Sequence, residues 1–208
     1  MHFDFSELSA PERYRLLVSA ITPRPIAWVT SQSADGARNA APYSFFNVMS
    51  SNPPVVVIGM GRRPDGTHKD SAANVLETGE FVVNLVCEGD APAMNLTSID
   101  APAGFDEIAL AGLATAPSLA IAPPRIASAP VAMECRLFQS LEVGTTTLVI
   151  GEVVVFHVED RFYDPATRRI DTPAMQLVGR LHGAGLYARG TDTFELQRPS
   201  WADHENAK

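Results

Sequence analysis

Lys69 and Ser71 flank Asp70 at the head of a short helical pattern, Ser71-Ala-Ala-Asn-Val-Leu-Glu-Thr, which Gly79 closes. The pattern predicts a helix of about two turns with Asp70 or Ser71 as N-cap and Gly79 as C-terminal cap. The first turn of such a helix presents backbone N–H groups with no helical partner and the positive end of the peptide dipoles, so an anion is favoured there. Arg62, Arg63 and Lys69 add full positive charge just upstream, and the Ser71 hydroxyl can donate to a phosphate oxygen. The chemistry suggested is phosphate binding. A capped surface helix after a solvated loop fits the same residues.

The segment before it, Asn39 to Pro54, mixes small residues with hydrogen-bonding ones. Asn39, Ser44, Asn47, Ser50 and Ser51 can donate and accept, while Pro42, Tyr43, Phe45 and Phe46 offer apolar surface. A planar ring such as an isoalloxazine needs polar groups at its edge and apolar neighbours on its faces. The alternative is a turn-rich barrel corner whose hydroxyls satisfy local backbone groups.

The elements that must position these residues are mostly strands. A first helix is expected within Ser6 to Ala20, with Ser9 as cap, Pro11 in the first turn, and Tyr14, Leu17 and Val18 facing the body. Ile26 to Ser31 and Ala37 to Ser44 read as a hairpin around Ser-Ala-Asp-Gly. Arg24 can face a phosphate or substrate, though a surface ion pair is the simpler reading, and Trp28 reads as core. Val55 to Met60 is a continuous apolar strand, and Glu80 to Val86 is another in which Asn84 must find hydrogen-bond partners. Gly59-Met60-Gly61 lacks the third glycine of a dinucleotide fingerprint. From Cys87 to Pro124 the chain is rich in Ala, Pro, Gly and Asp, with short helices at Ala91 to Asn95 and Phe105 to Leu110. Val131 to Val143 and Thr147 to Glu159 alternate as a long antiparallel hairpin across which Glu134 and His157 can pair. His68, Arg180, His182 and Tyr187 are polar handles of open role, and Arg198 to Lys208 reads as a polar tail. Many strands without βαβ alternation favour a mainly β fold, an antiparallel barrel with a few short helices, in one domain spanning residues 1–208.

Composition narrows the function classes. The chain has 208 residues, 46% of them hydrophobic, and a formal charge of −8. That charge argues against a nucleic-acid surface, which needs a basic stripe. The start holds no apolar run long enough for a signal peptide or membrane span, and a cytoplasmic location is expected. Cys87 and Cys135 stand far apart, outside any metal spacing, and read as reduced core thiols. No nucleophile elbow, HExxH or Walker loop is present, and no metal site is expected.

Several ordered blocks carry a resemblance: PRPIAWVTS, DGxxNxAPYSFFNxxSxNPP, KDSxxNxxETGEFVVNL, GFDEIALAGLATAPS, PRIASAPVAMECRL, VIGEVVVFHVED and MQLVGRLHGAGLY. Over about Pro23 to Tyr187 the chain resembles the flavin reductase-like proteins with an FMN-binding split barrel. The resemblance implies FMN as cofactor, held by the hydroxyl-rich segment and by Lys69, Asp70 and Ser71, with Ser71 where the family usually has Thr. It further implies an oxidoreductase moving electrons from NAD(P)H to flavin or another acceptor, acting as a homodimer on a small-molecule substrate or with a monooxygenase or electron-transfer partner. A flavoredoxin-like carrier reduced by a protein partner, and a flavin-binding module without turnover, are the alternatives.

Overall fold

The computed structural model of the chain describes residues 1–201 and Glu205. Its centre is a seven-stranded antiparallel sheet, the body of a mainly β split barrel. The strands are β1 (Ala27–Gln32), β2 (Arg38–Tyr43), β3 (Phe46–Ser51), β4 (Pro54–Gly61), β5 (Glu80–Asn84), β8 (Val131–Val143) and β9 (Thr146–Val158), ordered β2-β1-β5-β8-β9-β4-β3. Three two-stranded pairs decorate it: β6 (Thr115–Ala116) with β7 (Arg125–Ile126), β10 (Tyr163–Asp164) with β11 (Arg169–Ile170), and β12 (Val178–Arg180) with β13 (Tyr187–Arg189). Among the described residues the α-helices are α1 (Ala10–Ala20), α2 (Asp70–Thr78), α3 (Ala91–Leu96) and α4 (Glu107–Leu110).

Why these residues form these elements is clearest in the long hairpin. Alternate side chains of β8 point into the core, where Val131, Met133 and Cys135 pack with Ile58, Phe81 and Val149. Strands of this length must bend to wrap a core, and β8 meets β9 with register shifts at Glu134/Cys135 and Leu137/Gln139, the irregularities that let a sheet curl. A second cluster lies on the other face, where Trp28 packs with Ile26, Val86, Met94 and Ile126. Its indole N–H donates to the Thr97 hydroxyl at 2.9 Å, tying the excursion after β5 to the sheet. Asn84 does the same work in the core: its amide nitrogen donates to the Trp28 carbonyl (2.9 Å) and its oxygen accepts from the Ile126 N–H (3.0 Å).

Several expectations need correction. A strand, β3, occupies the stretch read as a turn-rich corner, because pairing with the valine-rich β4 supplies backbone partners that the polar residues of β3 do not advertise. In α1 the N-cap is Ser9, as expected, its N–H donating to the Glu12 carboxylate at 2.9 Å, and the helix proper occupies only Ala10–Ala20 of the Ser6 to Ala20 stretch. Of its three expected inward residues only Val18 is buried; Tyr14 and Leu17 are exposed, since a helix at the rim has one narrow contact line. Arg24 is buried and bonded to carbonyls instead of forming a surface ion pair. Cys135 is a core thiol, but Cys87 is half-buried with its sulfur 3.5 Å from the Asp90 carboxylate. Of the expected tail, residues 202–204 and 206–208 lie outside the described residues.

Candidate functional site

The phosphate-binding prediction rests on how α2 begins. Lys69 is the N-cap, with extended backbone and no side-chain cap, and Asp70 is the first helical residue, so neither Asp70 nor Ser71 caps as expected. The reason is that Asp70 has other partners: its carboxylate takes the Arg63 guanidinium at 2.7 Å and the Gly104 N–H at 3.1 Å. The first helical bond joins the Ala73 N–H to the Lys69 carbonyl at 2.9 Å, which leaves the N–H groups of residues 70–72 without a helical acceptor. At the other end Gly79 adopts φ 73°, a left-handed conformation that suits glycine, and stops the helix.

This helix start opens into a cleft of about 100 Å³ lined by Asn39, Pro42, Tyr43, Arg63, Lys69 and Asp70, with Ser71 at its base. Residues 97–101 and Glu107 form the opposite wall, so the excursion after β5 closes over the helix start. The volume suits a phosphate group rather than a whole nucleotide. Its electrostatics are mixed. Arg63 is engaged by Asp70, whereas Lys69 meets Asp100 at 3.4 Å through side chains 42% and 74% exposed, a pair weak enough for another anion to replace.

Beneath the cleft lies a buried polar chain. The Asn39 amide donates through its nitrogen to the Glu107 carboxylate (3.2 Å), and its oxygen accepts from the Ser71 hydroxyl (2.7 Å). The Ser71 hydroxyl is therefore turned inward onto Asn39, and what this residue offers the cleft is its backbone N–H. Burial pushes the Glu107 carboxyl up from its ordinary range, against the pull of the backbone N–H groups of Glu107 and Ala40, and Asp70 and Asp106 add to the rise. Burial also pushes the Tyr43 phenol up to about 12, with the Ser71 hydroxyl pulling the other way, so at neutral pH Tyr43 is a neutral donor.

The cleft continues along β2. A second hollow of about 210 Å³ shares Pro42, Tyr43 and Ser98 with the first and adds Ser44, Arg180 and Tyr187. A third, about 420 Å³, shares Ser44 and Arg180 and reaches Arg24 and His182. The three form a trough from the start of α2, past Tyr43 and Ser44, to the turn between β12 and β13.

The remaining candidates go elsewhere. Phe46, Asn47, Ser50 and Ser51 line a separate apolar groove of about 480 Å³ with Met133, Val153 and Phe156, because β2 and β3 lie at opposite ends of the strand order. Phe45 is 46% exposed at the corner between them, its ring 6.3 Å from that of Tyr14. Arg62 turns from the cleft to Glu142 (2.7 Å) and the Gly66 carbonyl (2.8 Å), while its neighbour Arg63 faces inward. His68 lies with Arg62, its Nδ1 3.3 Å from the Thr147 hydroxyl. One lining residue went unanticipated: Glu107 is signalled only by the Asp-Glu pair before the apolar residues of α4. Arg62 and Arg63 were both expected at the cleft, and no sequence signal separates the one that faces it from the one that does not.

Comparison with known proteins agrees with this architecture. A family model described as "Flavin reductase like domain" matches residues 19–173. An uncharacterized protein of Deinococcus radiodurans is 45% identical, over 97% of this chain and 91% of its own. Among solved structures, nitrilotriacetate monooxygenase component B from Bacillus cereus is 36% identical with a TM-score of 0.89, covering 94% of this chain and 98% of that one. The 2-nitrobenzoate 2-nitroreductase NbaA of Pseudomonas fluorescens, also 36% identical, has a TM-score of 0.88 over 97% of this chain and 98% of its own.

Proposed function

The chain belongs to the flavin reductase-like domain family, and from that premise we propose that it is an FMN-binding oxidoreductase that takes electrons from NAD(P)H and delivers them to flavin or another acceptor. The observation that carries the reading is the trough along β2, phosphate-sized at the helix start and wider beyond Tyr43. Its donor set fits the cofactor. Lys69 and the N–H groups opening α2 hold the phosphate, with Arg63 screening Asp70 from it. The backbone and side chains of Pro42, Tyr43 and Ser44 would border the ring together with Asn95 and Ser98, while residues 97–101 wall the phosphate end.

When bound, FMN supplies a ring that accepts a hydride and passes on one or two electrons. The protein's own part is binding and orientation, and the neutral Tyr43 hydroxyl keeps its proton throughout the physiological range. Anaerobic mixing of flavin-loaded protein with NADH and with NADPH tests the reading. Rapid bleaching of the flavin absorbance is expected with at least one donor; no bleaching with either would leave a carrier fed by a protein partner.

The same proposal includes a homodimer. The groove around Phe46, Met133 and Phe156 is almost wholly apolar, and Val48 and Met49 are exposed beside it at 66% and 63%. A second copy of the chain covers this face, bringing Phe46, Asn47, Ser50 and Ser51 into the assembly. Light scattering is expected to give twice the chain mass, and Val48→Asp to shift it toward the single chain. A monomeric unsubstituted protein at micromolar concentration would remove this part.

A further inference from the structure

The far end of the trough has a charge pattern that the flavin phosphate does not explain. The hollow of about 420 Å³ is lined by Arg15, Arg24, Arg180, His182, Tyr14 and Ser44, with apolar and small residues between them. Among the described residues that line it there is no Asp or Glu, although the chain as a whole carries 24 acidic residues against 16 Lys and Arg. Three guanidiniums converging on one concave surface of an acidic protein mark a local reversal of sign.

The arginines are fixed. Arg24 and Arg180 exchange backbone hydrogen bonds, Arg24 N–H to Arg180 carbonyl at 2.9 Å and the reverse at 2.8 Å, so their side chains leave neighbouring points of one bridge. The approach is close because residue 179 is glycine; a Cβ there would stand 2.9 Å from the Pro23 Cβ. Arg24 is 8% exposed and donates to the carbonyls of Val18 (2.7 Å), Ile21 (2.8 Å) and Leu181 (2.9 Å) and to the Ser44 hydroxyl (3.3 Å). Carbonyls hold a guanidinium in place without neutralising it. Arg180 likewise bonds the carbonyls of Leu186 and Gly183 and lies 4.8 Å over the Tyr187 ring. Arg15 projects from α1, and the nearby Glu12 carboxylate is occupied by Ser9. Burial lowers the Arg24 value, Tyr14 raises it in part, and the positive charge of Arg180 lowers it.

We propose that this hollow is an oxyanion subsite for the second substrate, the carboxylate or phosphate of a molecule whose reactive part lies toward Ser44 and Tyr43. The inference rests on the placement of FMN phosphate at the start of α2, which leaves the arginine end for the other reactant. Clefts of one sign with low-dielectric walls concentrate ions of the opposite sign, and a guanidinium fork matches a carboxylate or phosphate edge.

The test uses flavin-loaded protein and three non-reacting probes: benzoate, the uncharged benzamide, and NAD⁺ as a source of phosphate oxyanions. Benzoate or NAD⁺ is expected to bind and to weaken with added salt, benzoate more tightly than benzamide. Arg15→Gln, an exposed position on α1, and Arg180→Gln are each expected to weaken the anionic probe about tenfold, with Arg180→Lys recovering part of the loss. A loss for benzoate identifies a carboxylate substrate; a loss for NAD⁺ identifies the donor's phosphates. Unchanged affinity for both anions in both Gln variants overturns the subsite. Flavin affinity of the Arg15→Gln variant, whose position lies outside the hollow assigned to the ring, is titrated separately on apo-protein and is expected to change less than twofold. A tenfold loss there instead would put the flavin phosphate among the arginines and overturn both the subsite and the assignment at α2, whereas a failed subsite with intact flavin binding leaves that assignment standing.

Discussion

Glu134 and Glu107 are both buried carboxylates, yet their surroundings differ. Glu134, on β8, is fully enclosed and accepts the Leu119 and Ala120 N–H groups at 2.7 Å each and the His157 ring nitrogen at 2.6 Å. Burial alone would push this carboxyl up, but those donors together hold it below its ordinary range. Glu107, at the start of α4 in the cleft wall, has the Asn39 amide at 3.2 Å and a long contact from the Ala40 N–H at 3.4 Å, and it rises. The first is a fastening: it pins residues 119–120 onto the barrel. The second is a carboxylate with weaker donors, set beside the helix start proposed to hold a phosphate, and such raised carboxyls in a cleft are candidates for a site rather than a scaffold.

The largest effect expected from breaking this contrast is at Glu134. Replacing it with Ala leaves the Leu119 and Ala120 N–H groups and the His157 ring without their common acceptor, a loss of about 3–5 kcal/mol. For a chain of this length that is a fall in melting temperature of about 10 °C, read by circular dichroism at neutral pH. A fall of under about 2 °C would mean the fastening does not bear on stability. The pH dependence has a definite sign. Because the folded value lies below the ordinary 4.5, the stabilisation is present above that pH and is lost as pH falls through the folded value.

At the site end, Lys69→Ala, which leaves the inward-turned Ser71 hydroxyl on Asn39, is expected to weaken FMN binding by about ten- to a hundredfold while leaving the melting temperature of the apo-protein nearly unchanged. Unchanged affinity on titration of the apo-protein would remove the phosphate assignment. The smallest effect is at Glu107. With its folded value raised above 4.5, its contribution is favourable at lower pH and is lost as pH rises through the raised value. Glu107→Gln is therefore expected to raise the melting temperature at pH 7 by a few degrees, with the gain shrinking toward pH 4, and to tighten FMN a few-fold. A destabilised variant at neutral pH would show that Glu107, like Glu134, is a fastening.

Features governed by local chemistry were legible in the sequence. The long hairpin was read as starting at Val131, the Glu134–His157 pairing followed from its alternation, and Gly79 announced the end of α2. What escaped depends on distant partners. β3 has weak strand character of its own and exists because β4 lies beside it. Arg62 and Arg63 are chemically identical neighbours, and only the fold decides which one meets Asp70 and which meets Glu142. Arg24 resembled any surface arginine until the carbonyls of Val18, Ile21 and Leu181 closed round it. The candidate ligand residues were read as one run, but an antiparallel sheet sends the two arms of that run to opposite margins, with Ser44 and Phe45 as the divide.

The bridge between Arg24 and Arg180 also fixes an order of assembly. All seven strands of the main sheet are complete by Val158, so the barrel can close while the last fifty residues are still to be placed. Until residues 180 and 181 arrive, however, the Arg24 side chain lacks the Leu181 carbonyl and its backbone lacks both bonds of the bridge. During synthesis on the ribosome the trough would thus be finished from its α2 end first, and a chain cut short near residue 176 would lose the Arg24–Arg180 bridge together with the core packing of Leu177 and Val178.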